Sequence, residues 1–128
     1  MKQVIRTEAA PAPFQGAPYN QAIAGNGFVF VAGQLGLDPS TGTMVEGGIG
    51  PQTERIFANL RAILEEAGSS VDRIVKTTVF LTNLDDFAGM NEVYAREIGD
   101  DPPARSTVEV GRLPSGALVE IEAIALAS

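Results

Sequence analysis

Residues 74–81 read IVKTTVFL, a run that is apolar and β-branched on both faces of one predicted strand and therefore limits the folds that the chain can adopt. Strand alternation sorts its side chains into two sets: Ile74, Thr78 and Phe80, and Val75, Thr77, Val79 and Leu81. Burying the apolar side chains of both sets would stabilise the folded chain. We therefore expect both faces of this part of the sheet to be covered.

One helix is predicted before this strand in the chain and another after it. Upstream, Pro51 opens a helix that Gly68 ends. Its apolar stripe has helical spacing and consists of Ile56, Leu60, Ile63, Leu64 and Ala67. Downstream, Asn83 caps a second helix that ends at the sequence GDDPP, residues 99–103. Its predicted inner stripe is Phe87, Met90 or Asn91, Tyr94 and Ile98.

The remaining strands are predicted towards the two ends of the chain. Residues 3–6 form one strand, and a tight turn at Asn26 and Gly27 leads into a buried strand at residues 28–32. Two more strands, residues 105–110 and 118–126, follow the second helix, and with the hairpin counted as two strands the predicted order is strand, strand, strand, helix, strand, helix, strand, strand. The resulting fold class is α+β, with a mixed sheet of about six strands and two helices on one face. We expect residues 1–128 to form a single domain.

The two predicted helices are too few to cover this sheet. They can pack on only one face, whereas the central strands carry Val, Ile, Leu and Phe on both. Burying each such side chain contributes about 1.5–3 kcal/mol. Because the second face needs cover, we predict that the chain forms a closed homo-oligomer.

The composition excludes several classes of function. The chain has no Cys and no His, which removes thiolate nucleophiles, imidazole bases and the usual transition-metal sites. Its net charge of −7, with nine Lys and Arg residues, disfavours nucleic acid as a partner. The glycine cluster at 47–50 lacks the spacing of a nucleotide-binding loop, so we expect neither cofactor nor metal. No signal peptide or membrane span is recognised, which favours a cytoplasmic protein that does not bind membranes.

Four positions could carry chemistry. Arg105 follows a double proline at the start of a strand and could grip a carboxylate; a surface ion pair is the alternative. Glu120 shares one strand face with Glu122 and, if partly buried, could exchange protons with water; a wet edge strand is the alternative. Tyr19 could orient a substrate or simply pack on the surface, and Gly33 could admit a ligand or only serve a turn.

Several blocks together resemble the Rid/YjgF family, the RidA-type 2-iminobutanoate/2-iminopropanoate deaminases. The most specific block is PARS at residues 103–106, continuing through Gly111 and Leu113 to VEI at residues 119–121. Other blocks similar to the family are APYNQ at 17–21, AGQ at 32–34, VKTTVFL at 75–81 and DFAGMN at 86–91. The resemblance runs nearly end to end.

This resemblance implies a chorismate-mutase-like homotrimer with a cleft at each subunit interface and 2-imino acids, hydrolysed to 2-oxo acids, as substrates. It implies that Arg105 holds the substrate carboxylate, Glu120 positions and activates the attacking water, and Tyr19 lines the cleft. It also implies backbone contacts at Gly33 and Thr107 and places Asn91 near the site.

Two positions depart from the family pattern. Ala32 stands where deaminating members often have Ser, which removes a hydroxyl that could touch the substrate, and Thr107 stands where Cys is common. Three other functions stay open: a non-catalytic sensor of small carboxylic acids, a ribonuclease, and a pathway-specific deaminase acting on aminoacrylate or aminomuconate.

Overall fold

A computed structural model describes residues 1–127 and contains one six-stranded sheet with two helices on one face. The strands are β1 (Gln3–Ile5), β2 (Ala22–Gly25), β3 (Phe28–Gln34), β4 (Ile74–Leu81), β5 (Ala104–Glu109) and β6 (Val119–Leu126). The helices are α1 (Ile49–Glu66) and α2 (Phe87–Ile98). The strand order is β1-β2-β3-β6-β4-β5, and only β4 and β5 are parallel neighbours. The predicted α+β class, element order and mixed sheet are confirmed.

Local sequence signals explain the element ends. Asn26 and Gly27 have φ of 52° and 84°, which is the left-handed backbone of the predicted tight hairpin between β2 and β3. Gly68, at φ 78°, ends α1 as predicted. The helix begins at Ile49, two residues before Pro51, and Pro51 is tolerated because N–H groups of a first turn have no intrahelical partner. Asn83 accepts a hydrogen bond from the Asp85 N–H at 2.8 Å and so caps the turn that leads into α2.

The core lies between the helices and one face of the sheet. The apolar stripe of α1 is buried there as predicted, apart from a partly buried Ala67, and Phe57 is buried with it. The sheet contributes a matching set of fully or almost fully buried residues: Val29, Val31, Val79, Leu81, Val119, Ile121 and Ala123. Apolar burial on this scale is the main favourable term in folding.

Two details of the predicted packing are wrong. Ile74 is buried and Val75 is 39% exposed, the reverse of their predicted faces, because the pairing of β4 with β6 shifts register between Ile74 and Lys76. Phe87 is 41% exposed and lies in the first turn of α2, where its ring meets Arg105 rather than the core. Val93 joins Met90, Tyr94 and Ile98 in the inner stripe instead.

The other face of the sheet is open and apolar in the single chain. The strand predicted as buried, β3, is buried on one side only, since Phe28 and Phe30 are 37% and 47% exposed. The sheet face opposite the helices exposes further large apolar side chains, Val108 and Leu126. The uncovered face expected from the alternation of apolar residues is therefore present in the chain.

Two buried polar side chains of α1 fix the backbone that follows β3 and precedes β6. Asn59 donates hydrogen bonds to the carbonyls of Leu35 and Leu37, both at 3.1 Å. Gln52 accepts one from the Leu118 N–H at 2.9 Å. Because an unpaired buried backbone group is costly, these bonds hold the ends of the two strands in register.

Candidate active site

Glu120 lies against the backbone of β3. It stands on the open face of β6, opposite Phe80 in β4, and beside the point where the β3–β6 register shifts between Val31 and Gln34. A Cβ added at Gly33 would lie 1.9 Å from Glu120 Oε2 and 2.7 Å from its Cδ. Only glycine at position 33 leaves room for the carboxyl group in this position.

The environment of Glu120 raises its carboxyl pKa. Burial is the main cause, because desolvation penalises the charged form, and the negative charge of Glu122 on the same strand face adds to it. Glu122 is exposed, whereas Glu120 is about half-buried. A carboxylate with a raised pKa is a stronger base than an ordinary surface glutamate and can take a proton from a bound water more readily.

Tyr19 and Ala32 line a cavity of about 380 Å³ on the β2–β3 side. The Tyr19 hydroxyl accepts a hydrogen bond from the Phe14 N–H at 3.0 Å, which fixes the oxygen and leaves its proton free to be donated. Ala32 directly precedes Gly33 on β3. We refer to Glu120, Gly33, Ala32 and Tyr19 as the Glu120 cluster.

Arg105 belongs to a second cluster. It pairs with Thr77 on the helix-covered side of the sheet, and its guanidinium carbon lies 4.7 Å from the ring centre of Tyr94 and 5.6 Å from that of Phe87. The ion pairs formed among residues 1–127 involve Arg61 and Arg96 but not Arg105. Within residues 1–127, Arg105 therefore does not form the surface ion pair that was the alternative to carboxylate binding.

Two buried polar atoms near Arg105 lack hydrogen-bond partners within residues 1–127: Asn91 Oδ1 and Thr107 Oγ1. Asn91 lines a cavity of about 490 Å³ together with Tyr94 and Arg105, and Thr107 is two residues after Arg105 on the same face of β5. Buried polar atoms are almost always paired, so these two are candidates for ligand contacts. We refer to Arg105, Asn91 and Thr107 as the Arg105 cluster.

The two clusters lie on opposite faces of the sheet. Arg105 pairs with Thr77, which is fully buried under the helices, whereas Glu120 pairs with Phe80 on the open face. A single chain thus brings Gly33 to Glu120 and Asn91 to Arg105, but it does not bring Arg105 to Glu120. A site that uses both side chains must be shared between subunits.

Sequence reasoning missed the role of two aromatic residues beside Arg105. Tyr94 and Phe87 were both predicted as core residues of α2 because they fit its apolar spacing. Their spacing of seven residues does place them on one helix face. That spacing could have suggested a shared contact, but not that the contact is a guanidinium.

Other classes of site find little support in the described residues. Among residues 1–127, no group of three or more acidic, His or Cys side chains is placed to hold a metal ion. Neither helix in that range combines the length and apolarity required to cross a bilayer. A cavity of about 820 Å³ beneath the loop at 111–118 contains none of the predicted site residues.

Gly33→Ala tests the contact between Gly33 and Glu120. The new methyl group must displace the flexible carboxyl towards solvent, so we expect a folded protein in which the pKa of Glu120 falls towards that of an ordinary glutamate. Carboxyl ¹³C NMR titration measures this. Gly111→Ala is the matched control, because a Cβ there meets no atom within 4 Å. An unchanged pKa in Gly33→Ala would contradict the described geometry.

Comparison with known proteins shows what the chain as a whole is similar to. A family model described as endoribonuclease L-PSP matches residues 7–127. A RutC family protein from Pyrococcus abyssi is 55% identical over 124 residues, covering 97% of this chain and 96% of the relative. A 2-iminobutanoate/2-iminopropanoate deaminase from Mus musculus is 41% identical, with 98% and 92% covered. The crystal structure of RidA from the Antarctic bacterium Psychrobacter sp. superposes with a TM-score of 0.92 at 44% identity, covering 97% and 98% of the two chains.

Proposed function

Because this chain belongs to the Rid/YjgF family, whose family model is described as endoribonuclease L-PSP, we propose that it hydrolyses 2-imino acids to 2-oxo acids and ammonia. The substrates would be reactive enamine-derived imines such as 2-iminopropanoate and 2-iminobutanoate. One observation carries the proposal: a half-buried glutamate with a raised pKa, Glu120, lies directly on the backbone of Gly33. The similarity to a mouse protein named as such a deaminase supports the same reaction.

The proposed assembly is a homotrimer with one site at each subunit interface. The separation of the two clusters on opposite sheet faces supports a shared site. The open apolar face supports a partner copy, since Phe28, Phe30 and Leu126 are all more than a third exposed in the single chain. That the assembly contains three copies follows from the family resemblance. We further propose that the chain is a single domain that acts in the cytoplasm.

In the proposed reaction, Arg105 of one subunit grips the substrate carboxylate through its N–H edge. Glu120 of a neighbouring subunit takes a proton from water as the water oxygen bonds to the imine carbon, and it passes that proton to the imine nitrogen to give a carbinolamine. Glu120 then takes the hydroxyl proton of the carbinolamine and returns it to the amino nitrogen as the C–N bond breaks, so that ammonia leaves and the carbon–oxygen double bond of the 2-oxo acid forms. Fixed orientation of the substrate and the water supplies a large part of the rate.

The remaining site residues would complete the cleft. Tyr19 can donate its hydroxyl proton, because its oxygen already accepts a hydrogen bond from Phe14. Asn91 and Thr107 offer buried atoms that have no partner in the described chain. The absence of a side chain at Gly33 would let the Glu120 carboxyl lie against the β3 backbone, and Ala32 would face the cavity that it lines with Tyr19.

The alternative functions fit the site less well. A sensor of small carboxylic acids needs Arg105 but has no use for a basic glutamate beside the cleft. A ribonuclease would have to bind RNA with a protein of net charge −7 that has no His to act as acid or base. A pathway-specific deaminase would use the same site and differs only in the imine that it accepts.

An imine-trapping assay tests the proposed function. An amino-acid oxidase generates 2-iminopropanoate or 2-iminobutanoate in the presence of semicarbazide, which traps the imine, and the rate of semicarbazone formation is followed at increasing protein concentrations. Because hydrolysis of the imine competes with trapping, we expect semicarbazone formation to slow as protein concentration rises. If a folded protein leaves the rate of semicarbazone formation unchanged with both imines, the deaminase proposal fails, and binding of 2-oxobutanoate by calorimetry would then support the sensor.

Mixed subunits test whether the site is shared. Arg105→Ala and Glu120→Gln chains, each inactive alone, are co-expressed and purified as mixed oligomers. If each site takes Arg105 from one subunit and Glu120 from the next, random mixing in a ring restores about one quarter of the sites. Activity near that fraction of wild type is the expected result. No recovery from demonstrably mixed oligomers would show that both side chains act within one chain.

A further inference from the structure

The guanidinium of Arg105 is held by aromatic rings rather than by a carboxylate. Tyr94 and Phe87, two turns apart on one face of α2, place their ring centres 4.7 Å and 5.6 Å from its central carbon. No acidic group among residues 1–127 forms an ion pair with Arg105. Aromatic rings attract a guanidinium through its faces and leave its N–H edge free.

Tyr94 is itself fixed in place. Its hydroxyl shares a buried hydrogen bond of 2.7 Å with Thr77 Oγ1, and its ring packs edge-on against Phe57 with centroids 5.4 Å apart. Thr77 is fully buried and is also the β4 residue that pairs with Arg105 on β5. One strand position therefore sets both the backbone of Arg105 and the orientation of the ring beneath its side chain.

We infer that Tyr94 and Phe87 are positioning residues for Arg105, that Thr77 sets the angle of Tyr94, and that this arrangement keeps the guanidinium edge available for a substrate carboxylate. The inference rests on the proposed function. Its physical basis is competition: a protein carboxylate paired with Arg105 would have to be displaced by the carboxylate of the substrate, whereas an aromatic ring would not. Rings can restrict a long flexible side chain without neutralising its charge.

Kinetics of ring-removing and ring-retaining variants test the inference. Tyr94→Leu should raise KM for 2-iminobutanoate by about 5–30-fold with a smaller effect on kcat, the range expected for loss of a cation–π contact. Tyr94→Phe keeps the ring, so its KM should stay close to that of the wild type. Phe87→Leu should likewise raise KM, whereas Phe87→Tyr, which keeps a ring, should not. Val93→Ala, a buried change one residue away on α2, should lower stability and leave KM unchanged.

A double substitution shows whether Tyr94 acts through Arg105. In an Arg105→Lys background, the planar group that stacks on the ring is gone, so Tyr94→Leu should change KM much less than in the wild type. Equal effects in the two backgrounds would overturn the inference, because they would show that Tyr94 acts independently of Arg105.

An NMR measurement decides the point without using activity. The Arg105 Nε–Hε resonance, assigned by its loss in Arg105→Lys, should be shifted upfield by the Tyr94 ring, lose that shift in Tyr94→Leu and keep it in Tyr94→Phe. An unchanged resonance in Tyr94→Leu would overturn the inference while leaving the proposed deaminase function untouched. Absence of wild-type turnover would instead overturn the proposed function and, with it, the purpose assigned to the rings.

Discussion

Replacing Arg105 by alanine is expected to lower kcat/KM for 2-imino acids by about 30- to 5,000-fold, because loss of a paired, charge-assisted contact costs about 2–5 kcal/mol. The fold should survive, because Arg105 is partly exposed and forms no ion pair within residues 1–127. The semicarbazide assay measures the activity, and thermal unfolding together with light scattering measures stability and assembly.

Arg112→Ala is the matched control for Arg105→Ala. Arg112 is an exposed arginine seven residues later, at the loop that follows β5, and it belongs to neither cluster. Its removal changes the net charge by the same amount and should leave kcat/KM within about twofold, as expected for an exposed surface charge. Arg105→Lys should fall between wild type and Arg105→Ala, because lysine keeps the charge but loses the planar fork. Wild-type turnover in Arg105→Ala would remove this residue from the proposed mechanism.

Replacing Glu120 by glutamine is expected to lower kcat by about 10²–10⁴-fold, the usual contribution of a general base, with little effect on KM. Glutamine has nearly the same shape but cannot take a proton from water. Stability at neutral pH should not fall, because the half-buried carboxylate that glutamine replaces is penalised by desolvation. A variant that retains wild-type kcat would exclude Glu120 as the base.

The pH profile gives an independent test of Glu120. A general base acts when it is deprotonated, so kcat should rise with pH through the pKa of Glu120 and then level off. Burial and the charge of Glu122 raise that pKa. The rise in kcat should therefore occur at higher pH than it would with an exposed glutamate as the base.

Glu122→Gln is the matched substitution for the pH profile. It removes the like charge and so lowers the pKa of Glu120. The rise in kcat should then shift to lower pH, while the plateau value of kcat stays unchanged. A shift to higher pH, or a collapse of the plateau, would contradict this account. Because Glu122 is exposed on the same strand face, an unchanged plateau would also exclude Glu122 as the base.

Local sequence signals were sufficient for most elements of the fold. The turn at Asn26, the helix stop at Gly68 and the cap at Asn83 depend only on backbone preferences of single residues, and each is present where it was predicted. The stripe of α1 likewise depends on spacing within one helix. The errors, at Ile74, Val75 and Phe87, arise where a side chain's environment depends on a neighbouring element.

The amino-acid sequence was enough to predict the α+β class, the element order, the family resemblance and an apolar sheet face that two helices cannot cover. These follow from short-range preferences and from alternation along single strands. The folded chain was needed to see that Gly33 makes room for the Glu120 carboxyl, that Tyr94 and Phe87 flank Arg105, and that the two clusters lie on opposite faces of the sheet. Each of these relations joins residues far apart in sequence, and strand register, including the shift between Val31 and Gln34, sets which side chains meet.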